Sequence, residues 1–212
     1  MDVFVNYFWI FVLGSFFGFI LESIWCLIRY KKIESRKGLI YGWFIPIYGI
    51  ATMLINAFIS IFKINNYFLF FILTFIICGI VEYLSSLFQE KCFETKSWDY
   101  SNMILNLHGR VNLIYLLAWS IMGVFWCKYS SIILNLFIDI LIKTNLLYEI
   151  TTINLIFMIY NCFISFMAVY RQRLRRNGII ARNKYELWLD NNFNDDRLSK
   201  IYANSRVIKE QI

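Results

Sequence analysis

Two carboxylates that stand inside apolar stretches are the residues of this sequence most able to do chemistry. Glu22 and Glu82 each lie near the end of a long apolar run. An ionised carboxylate in hydrocarbon costs several kcal/mol unless it finds a partner or water, so such residues usually bind a substrate, relay protons or pair with a cation. Gly14 and Gly18 precede Glu22 at spacings of four residues, which predicts that Glu22 faces protein rather than lipid.

A second cluster of polar residues, Asn106, His108 and Arg110, precedes the fourth apolar segment and could meet these acids at the same depth. From that position the guanidinium of Arg110 is able to reach one carboxylate and form a bidentate pair. The sequence therefore predicts a cytoplasm-facing polar cavity that binds a substrate, formed by Glu22, Glu82, Asp99, Asn106, His108 and Arg110. The competing interpretation is a buried ionic clamp, in which Glu22, Glu82 and Arg110 only hold three segments together.

The second apolar segment contains residues that weaken a helix. Gly42, Pro46 and Gly49 lie in its first third, which predicts a helix break there. Irregular backbone at membrane depth must be buried in protein or line a cavity. The fifth apolar segment adds a polar stripe on one helical face, formed by Asn154, Asn161 and Ser165.

Cofactor and catalytic chemistry have little support in the sequence. The five cysteines are scattered, and His108 is the only histidine, so we expect no metal site and no cofactor. An enzyme acting on a lipid-type substrate, with the paired acids as general acid and base, stays open as a less favoured alternative with no catalytic residue assigned. The positive net charge belongs to residues that flank apolar segments, which argues against nucleic acid as a partner.

Five apolar segments must position these side chains. Of the 212 residues, 59% are hydrophobic and 17% charged, too apolar for one soluble core. The segments cover about residues 3–28, 40–62, 67–88, 111–127 and 150–170, and a helix crosses the bilayer in about 20 residues. Their continuous apolar character excludes the alternating pattern of barrel strands. The sequence thus predicts an all-α, polytopic membrane protein with about five transmembrane helices.

Charge distribution predicts the topology in the plasma (cytoplasmic) membrane. With the N-terminus outside and the C-terminus in the cytoplasm, all of the 21 Lys and Arg residues except Lys63, Lys128 and Lys143 fall on the cytoplasmic side. The stretch 131–142 is too short for a span and predicts a short interfacial helix on the outer face. We divide the chain into a transmembrane domain, 1–170, and a basic cytoplasmic tail, 171–212.

Three blocks of residues resemble a known family. They are Gly18 with Glu22; the run 38–42 (GLIYG) followed by 46–49 (PIYG); and Glu82 followed by 98–101 (WDYS), Asn106, 109–111 (GRV) and Trp119. Together they resemble the CmpB-like bacterial membrane proteins, the putative type IV ABC-transporter permease family. The family pattern usually reads Gly-Pro where this chain has Gly42-Trp43, so the backbone there is expected to differ.

The resemblance implies a component of a membrane transporter. The sequence has no phosphate-binding loop, so any ATPase is a separate subunit. We therefore expect a transport or permease component that contacts the lipid bilayer and a separate ATPase subunit, or that forms a homo-oligomer through the face of Gly14 and Gly18. A noncatalytic scaffold or regulator that docks a cytosolic protein is the remaining alternative.

Overall fold

The architecture is a bundle of long helices closed at one end by short elements. A computed structural model describes residues 2–208. In that range the elements are α1 (Val3–Tyr30), α2 (Pro46–Phe62), α3 (Tyr67–Phe93), β1 (Thr95–Lys96), β2 (Asn106–Leu107), β3 (Val111–Asn112), α4 (Leu113–Lys143), α5 (Leu147–Arg176), α6 (Lys184–Asn192), α7 (Asp195–Ile201) and β4 (Arg206–Val207). Helices α1, α3, α4 and α5 are long and apolar enough to cross a membrane, and α2 is a shorter apolar helix. The predicted all-α polytopic class is confirmed.

Polar residues at the segment boundaries start the helices. The side chains of Asp2, Asn66 and Asn112 accept backbone N–H groups of the first turns of α1, α3 and α4. Such N-caps satisfy donors that have no partner within the helix. The boundaries of the apolar runs are therefore also chemical signals for helix starts.

Small residues let the helices pack in two close pairs, α1 with α2 and α3 with α4. A Cβ added at Gly18 would lie 2.3 Å from the Tyr48 ring, and one at Gly123 would lie 2.6 Å from the Thr74 side chain. A Cβ at Gly14 would meet Thr52 in the same way. The face of Gly14 and Gly18 packs against α2 of the same chain, so its predicted use as an oligomer interface is wrong.

Residues 40–45, predicted as the start of the second span, are not helical. The Ile40 N–H donates to Ser165 Oγ at 2.9 Å. Tyr41 exchanges two hydrogen bonds with the Asn161 side chain, at 3.1 and 2.7 Å. Two members of the polar stripe on α5 thus supply the partners that this irregular backbone needs inside an apolar bundle.

Helix α2 begins at Pro46, at the depth of the middle of α1. The preceding Ile45 N–H donates to the Ser15 carbonyl at 3.0 Å. Proline as the first helical residue loses no intrahelical bond, because the N–H there has no partner in any helix. The predicted helix break is therefore a helix start: Gly42 lies before it with a φ of +74°, and Gly49 lies within regular helix.

The stretch 131–142 continues α4 instead of forming a separate interfacial helix, so that prediction is wrong. Its buried residues join an apolar cluster with the first turns of α1 and α5; Trp9 packs on Phe137 at 4.7 Å and donates to Thr151 Oγ1 at 2.9 Å. The side chains of Asn135 and Asp139 lie on the exposed face of the same helix.

The C-terminal elements fold back onto the bundle. Leu189, Phe193 and Leu198 of this segment are each 1% exposed and pack against Ile164 and Ala168 of α5. Strand β4 pairs antiparallel with β1. Helix α5 runs to Arg176, so the predicted domain boundary after residue 170 lies inside a helix, and α6 and α7 form a cap on that end of the bundle.

Candidate functional site

A large cavity lies among α1, α2, α3 and α4. Its volume is about 2430 Å³, and its lining includes Glu22 of α1, Tyr48 of α2, Glu82 of α3 and Trp119 of α4. The lining continues to the basic end of the bundle, which we define as the end at which α1, α3 and α5 finish. Arg29, Arg36 and Arg176 are among the residues that line it there. Of the residues predicted to form the site, the cavity brings together Glu22, Glu82 and Asp99.

Glu22 is held by a tyrosine from the first turn of α2. Its Oε1 accepts a hydrogen bond from the Tyr48 hydroxyl at 2.8 Å. The Tyr48 ring lies nearly perpendicular to the Trp119 ring, with centroids 5.5 Å apart. Because α2 starts beside the middle of α1 and packs closely against it, Tyr48 reaches Glu22 from the adjacent helix, and both residues line the cavity.

Glu82 is held by a tyrosine from the loop between α3 and α4. The residue is 8% exposed, and its Oε1 accepts from the Tyr100 hydroxyl at 3.1 Å. Its Oε2 is buried and has no hydrogen-bond partner within residues 2–208. Burial, followed by the charge of Glu82, raises the pKa of the Tyr100 hydroxyl well above its usual value, so this group stays protonated and donates.

Aromatic rings connect the surroundings of the two acids. The Tyr100 ring stacks on Tyr115 at 5.1 Å, and Tyr115 meets Trp25 edge to face at 5.8 Å. Tyr115 and Trp119 lie one helical turn apart on α4, and Trp25 lies one turn after Glu22 on α1. The cavity wall therefore combines two carboxylates with five rings, those of Trp25, Tyr48, Tyr100, Tyr115 and Trp119.

The loop 94–112 fixes the position of Tyr100. Asp99 Oδ1 accepts from the Ser101 N–H at 2.9 Å, and the Tyr100 N–H donates to the Gly109 carbonyl at 2.8 Å. Gly109 has a φ of +70°, and a Cβ there would lie 2.3 Å from Ser101 Oγ. A glycine is therefore required for this close turn. The hydrogen bonds from Ser101 also lower the pKa of Asp99, which stays ionised.

Three of the predicted cavity residues serve the loop or its neighbours and do not line the cavity. Asn106 Oδ1 accepts the Gly109 N–H at 2.7 Å. His108 Nδ1 lies 3.1 Å from the Tyr83 hydroxyl. Arg110 pairs with Glu90 at 2.6 Å, so the predicted pairing of Arg110 with Glu22 or Glu82 is wrong. Glu90 lies two turns after Glu82 on α3, near the basic end, and is the acid that the guanidinium reaches from the loop.

Sequence reasoning did not assign the tyrosines to the site. Tyr48, Tyr100 and Tyr115 are ordinary residues in an apolar chain in which 20% are aromatic. Their only signal is position, because Tyr48 follows the Pro46 helix start by two residues and Tyr115 precedes Trp119 by one turn. Neither signal indicates a carboxylate partner without the packing of the helices.

Ion pairs between arginines and acids hold the basic end together. Arg171 is 2% exposed and binds Asp190 through two hydrogen bonds of 2.9 Å. Arg175 lies 2.6 Å from the same carboxylate. Burial raises the pKa of Asp190, but the hydrogen bonds from both arginines outweigh it, and the net shift is downward. Both arginines form ion pairs with acids of the cap of α6 and α7.

Residues 9–166 match the sequence model of the family described as "Putative ABC-transporter type IV", ABC_trans_CmpB. The chain belongs to this family. The resemblance noted in the sequence is thereby confirmed. No curated protein and no solved structure matches the chain. The matched region of this CmpB-like protein contains both acids and all five rings, and it ends before the cap of α6 and α7.

Proposed function

We propose that this protein is the membrane-embedded component of a transporter and that its cavity binds the transported solute. The observation that carries the proposal is the state of Glu22 and Glu82. Both acids line the cavity, and within residues 2–208 no Lys or Arg nitrogen lies within 4.0 Å of either. A purely structural clamp pairs its acids with cations, because an uncompensated buried charge is strongly destabilising. Two cavity acids without a cation partner in the protein are suited to binding a solute.

The charge distribution supports an orientation in the plasma membrane. The basic end carries nearly all the Lys and Arg residues, which favours its placement in the cytoplasm, with the N-terminus outside. The cavity then opens toward the cytoplasm, and the segment after α5 stays there. A cysteine at Asn65, between α2 and α3, should react with an impermeant reagent in intact cells once native thiols are blocked. A cysteine at Asn183 should react only after permeabilisation.

ATP hydrolysis requires a second protein in this proposal. The chain lacks a phosphate-binding loop, so the ATPase is a separate subunit that meets the basic end from the cytoplasm. The family description, which names an ABC transporter, agrees with such a pairing.

The test is purification of the full chain from its native membranes in mild detergent. A nucleotide-binding polypeptide should co-purify, and ATP hydrolysis by this complex should change in Glu22→Gln and Glu82→Gln. The matched control is Glu149→Gln, which removes an exposed carboxylate at the opposite end of the bundle. Two results together would overturn the proposal: a folded protein that purifies without any nucleotide-binding partner, and normal growth of cells that carry Glu22→Gln or Glu82→Gln.

A further inference from the structure

We propose that the cavity recognises an organic ammonium ion, held by the carboxylates of Glu22 and Glu82 and by the rings of Tyr48, Tyr100, Tyr115 and Trp119. This inference rests on the proposed function and names the class of solute. The ammonium group belongs either to a free compound or to the headgroup of a lipid, and the experiment below separates these sources.

The charge of the cavity is the first support. Glu82 lines the cavity and is more than nine-tenths buried, and its Oε2 accepts no hydrogen bond from any residue of the range 2–208. Leaving a carboxylate oxygen in this state is costly, and a cation removes the cost. Glu22, half buried on α1, adds a second carboxyl group to the lining of the same cavity.

The aromatic wall is the second support, and it decides the kind of cation. Tyr48 and Tyr100 donate to the carboxylates through their hydroxyls, while their rings lie against Trp119 and Tyr115. Carboxylates and ring faces together form the surface that binds substituted ammonium groups, because the negative face of an aromatic ring attracts a weakly hydrated cation.

A divalent metal fits this surface poorly. Calcium takes six to eight oxygen ligands and magnesium about six. In the part of the chain that the structure describes, no three His, Cys, Asp or Glu side chains come together as a metal site. Each acid accepts a hydrogen bond from a tyrosine hydroxyl. The aromatic rings of the lining are poor ligands for hard cations but suitable neighbours for N-methyl or N-methylene groups.

The mouth of the cavity is compatible with either source of the ammonium group. Arg29 lines it seven residues after Glu22, which is about 10 Å along a helix that rises 1.5 Å per residue. Arg36, also in the lining, already donates to Cys26 Sγ and lies over the Tyr30 ring. An anionic group attached to the ammonium compound, such as the phosphate of a headgroup, would meet this basic rim while its ammonium reaches the acids.

The experiment measures binding to the purified full-length protein in detergent. Choline is the probe, and 3,3-dimethylbutan-1-ol, which has the same shape without the charge, is the control ligand. Choline should raise the melting temperature and change tryptophan fluorescence with saturation, and the neutral alcohol should do so at least tenfold more weakly. For the lipid source, native mass spectrometry should show retained phosphatidylethanolamine in preference to phosphatidylglycerol.

Variants assign the effect to the cavity. Glu82→Gln should weaken binding at least tenfold, and Trp119→Leu should weaken it about 3- to 30-fold, the range expected for one lost cation–π contact. Glu149→Gln should bind as the wild type does. If Glu82→Gln does not fold, Glu22→Gln provides the same test, because its half-exposed side chain leaves a smaller defect on neutralisation.

Three results would overturn the inference: equal affinity for choline and the neutral alcohol, unchanged binding in both acid variants, or no retention of either choline or phosphatidylethanolamine. Failure of the inference is distinguishable from failure of the proposed function. A co-purifying ATPase whose activity responds to the cavity variants, without ammonium binding, leaves the transporter standing and removes the solute class. Ammonium binding without an ATPase partner keeps the ammonium site and removes the proposed function.

Discussion

Acidic side chains are held in two different ways at the basic end and in the cavity. At the basic end, Asp190 lies between two arginines, and the pairs tie the cap of α6 and α7 to α5. In the cavity, Glu22 and Glu82 each accept a tyrosine hydroxyl, and no salt bridge reaches them within residues 2–208. The comparison shows that acids are paired with arginines where they hold the cap to the bundle and have no cation partner in the cavity, where we propose that a solute binds.

The largest expected effect is on the basic end. Asp190→Ala should lower the free energy of unfolding by roughly 3 kcal/mol, because it leaves the buried Arg171 without its bidentate partner. Thermal unfolding in detergent measures this. Asp196→Ala, an exposed acid of α7, is the matched control and should cost less than about 0.5 kcal/mol. Equal losses in the two variants would mean that the Arg171 pair does not stabilise the cap.

Neutralising the cavity acid should give the opposite result. Glu82→Gln should keep a melting temperature close to that of the wild type, because no arginine loses its counter-charge, and should alter ATP hydrolysis or ligand binding. The measurement is the same thermal scan combined with the activity assay. A variant that melts like Asp190→Ala but still functions would support a structural clamp and remove the distinction between the two regions.

Moving Tyr48 away from Glu22 should have a moderate effect on stability. Gly18→Ala places a Cβ within 2.3 Å of the Tyr48 ring, so Tyr48 must shift away from Glu22 at a cost of about 2 kcal/mol. Gly79→Ala is the control, because its Cβ would lie 3.3 Å from a flexible Leu116 methyl group. Unfolding and ligand titration of the pair give the result, and identical behaviour would show that Tyr48 does not position Glu22.

Removing only a hydroxyl should have a smaller effect. Tyr100→Phe keeps the ring against Tyr115 and loses the hydrogen bond to Glu82, which should cost about 1 to 2 kcal/mol in stability. Ligand affinity should change in the same variant if Glu82 contacts the solute. Thermal unfolding measures the stability of this variant, and calorimetric titration at neutral pH measures its ligand affinity.

The smallest expected effect is the pH dependence of an exposed ion pair. The hydrogen bond from Arg173 lowers the pKa of Glu94 below its usual value of 4.5. A lowered pKa stabilises the folded state at pH values above the usual pKa, and this contribution is lost as the pH falls through the lowered value. The free energy of unfolding of the wild type should therefore exceed that of Glu94→Gln by about 0.5 kcal/mol at pH 7; the difference should shrink as the pH falls below 4.5 and vanish below the lowered pKa. A constant difference would assign the effect to something other than the charge.

Part of the site was predictable because a charge in hydrocarbon is conspicuous. Glu22 and Glu82 can be selected from the sequence on that ground alone. Their partners could not be selected: Arg110 was as plausible as any residue near the boundary, yet it pairs with Glu90. The turn at Gly109, which has a positive φ, directs Tyr100 instead of Arg110 toward Glu82.

By itself, the sequence determined the helical membrane class, the approximate positions of five apolar helices and the presence of acids inside two of them. These properties follow from composition and local spacing, because the bilayer is the solvent of the apolar segments. Only the tertiary structure decided that α2 begins at Pro46, that α4 continues through residue 143 and that tyrosines hold the two acids. The physical reason is that each of these depends on contacts between distant residues: Asn161 with the backbone of Tyr41, Trp9 with Phe137, and Tyr100 with Glu82.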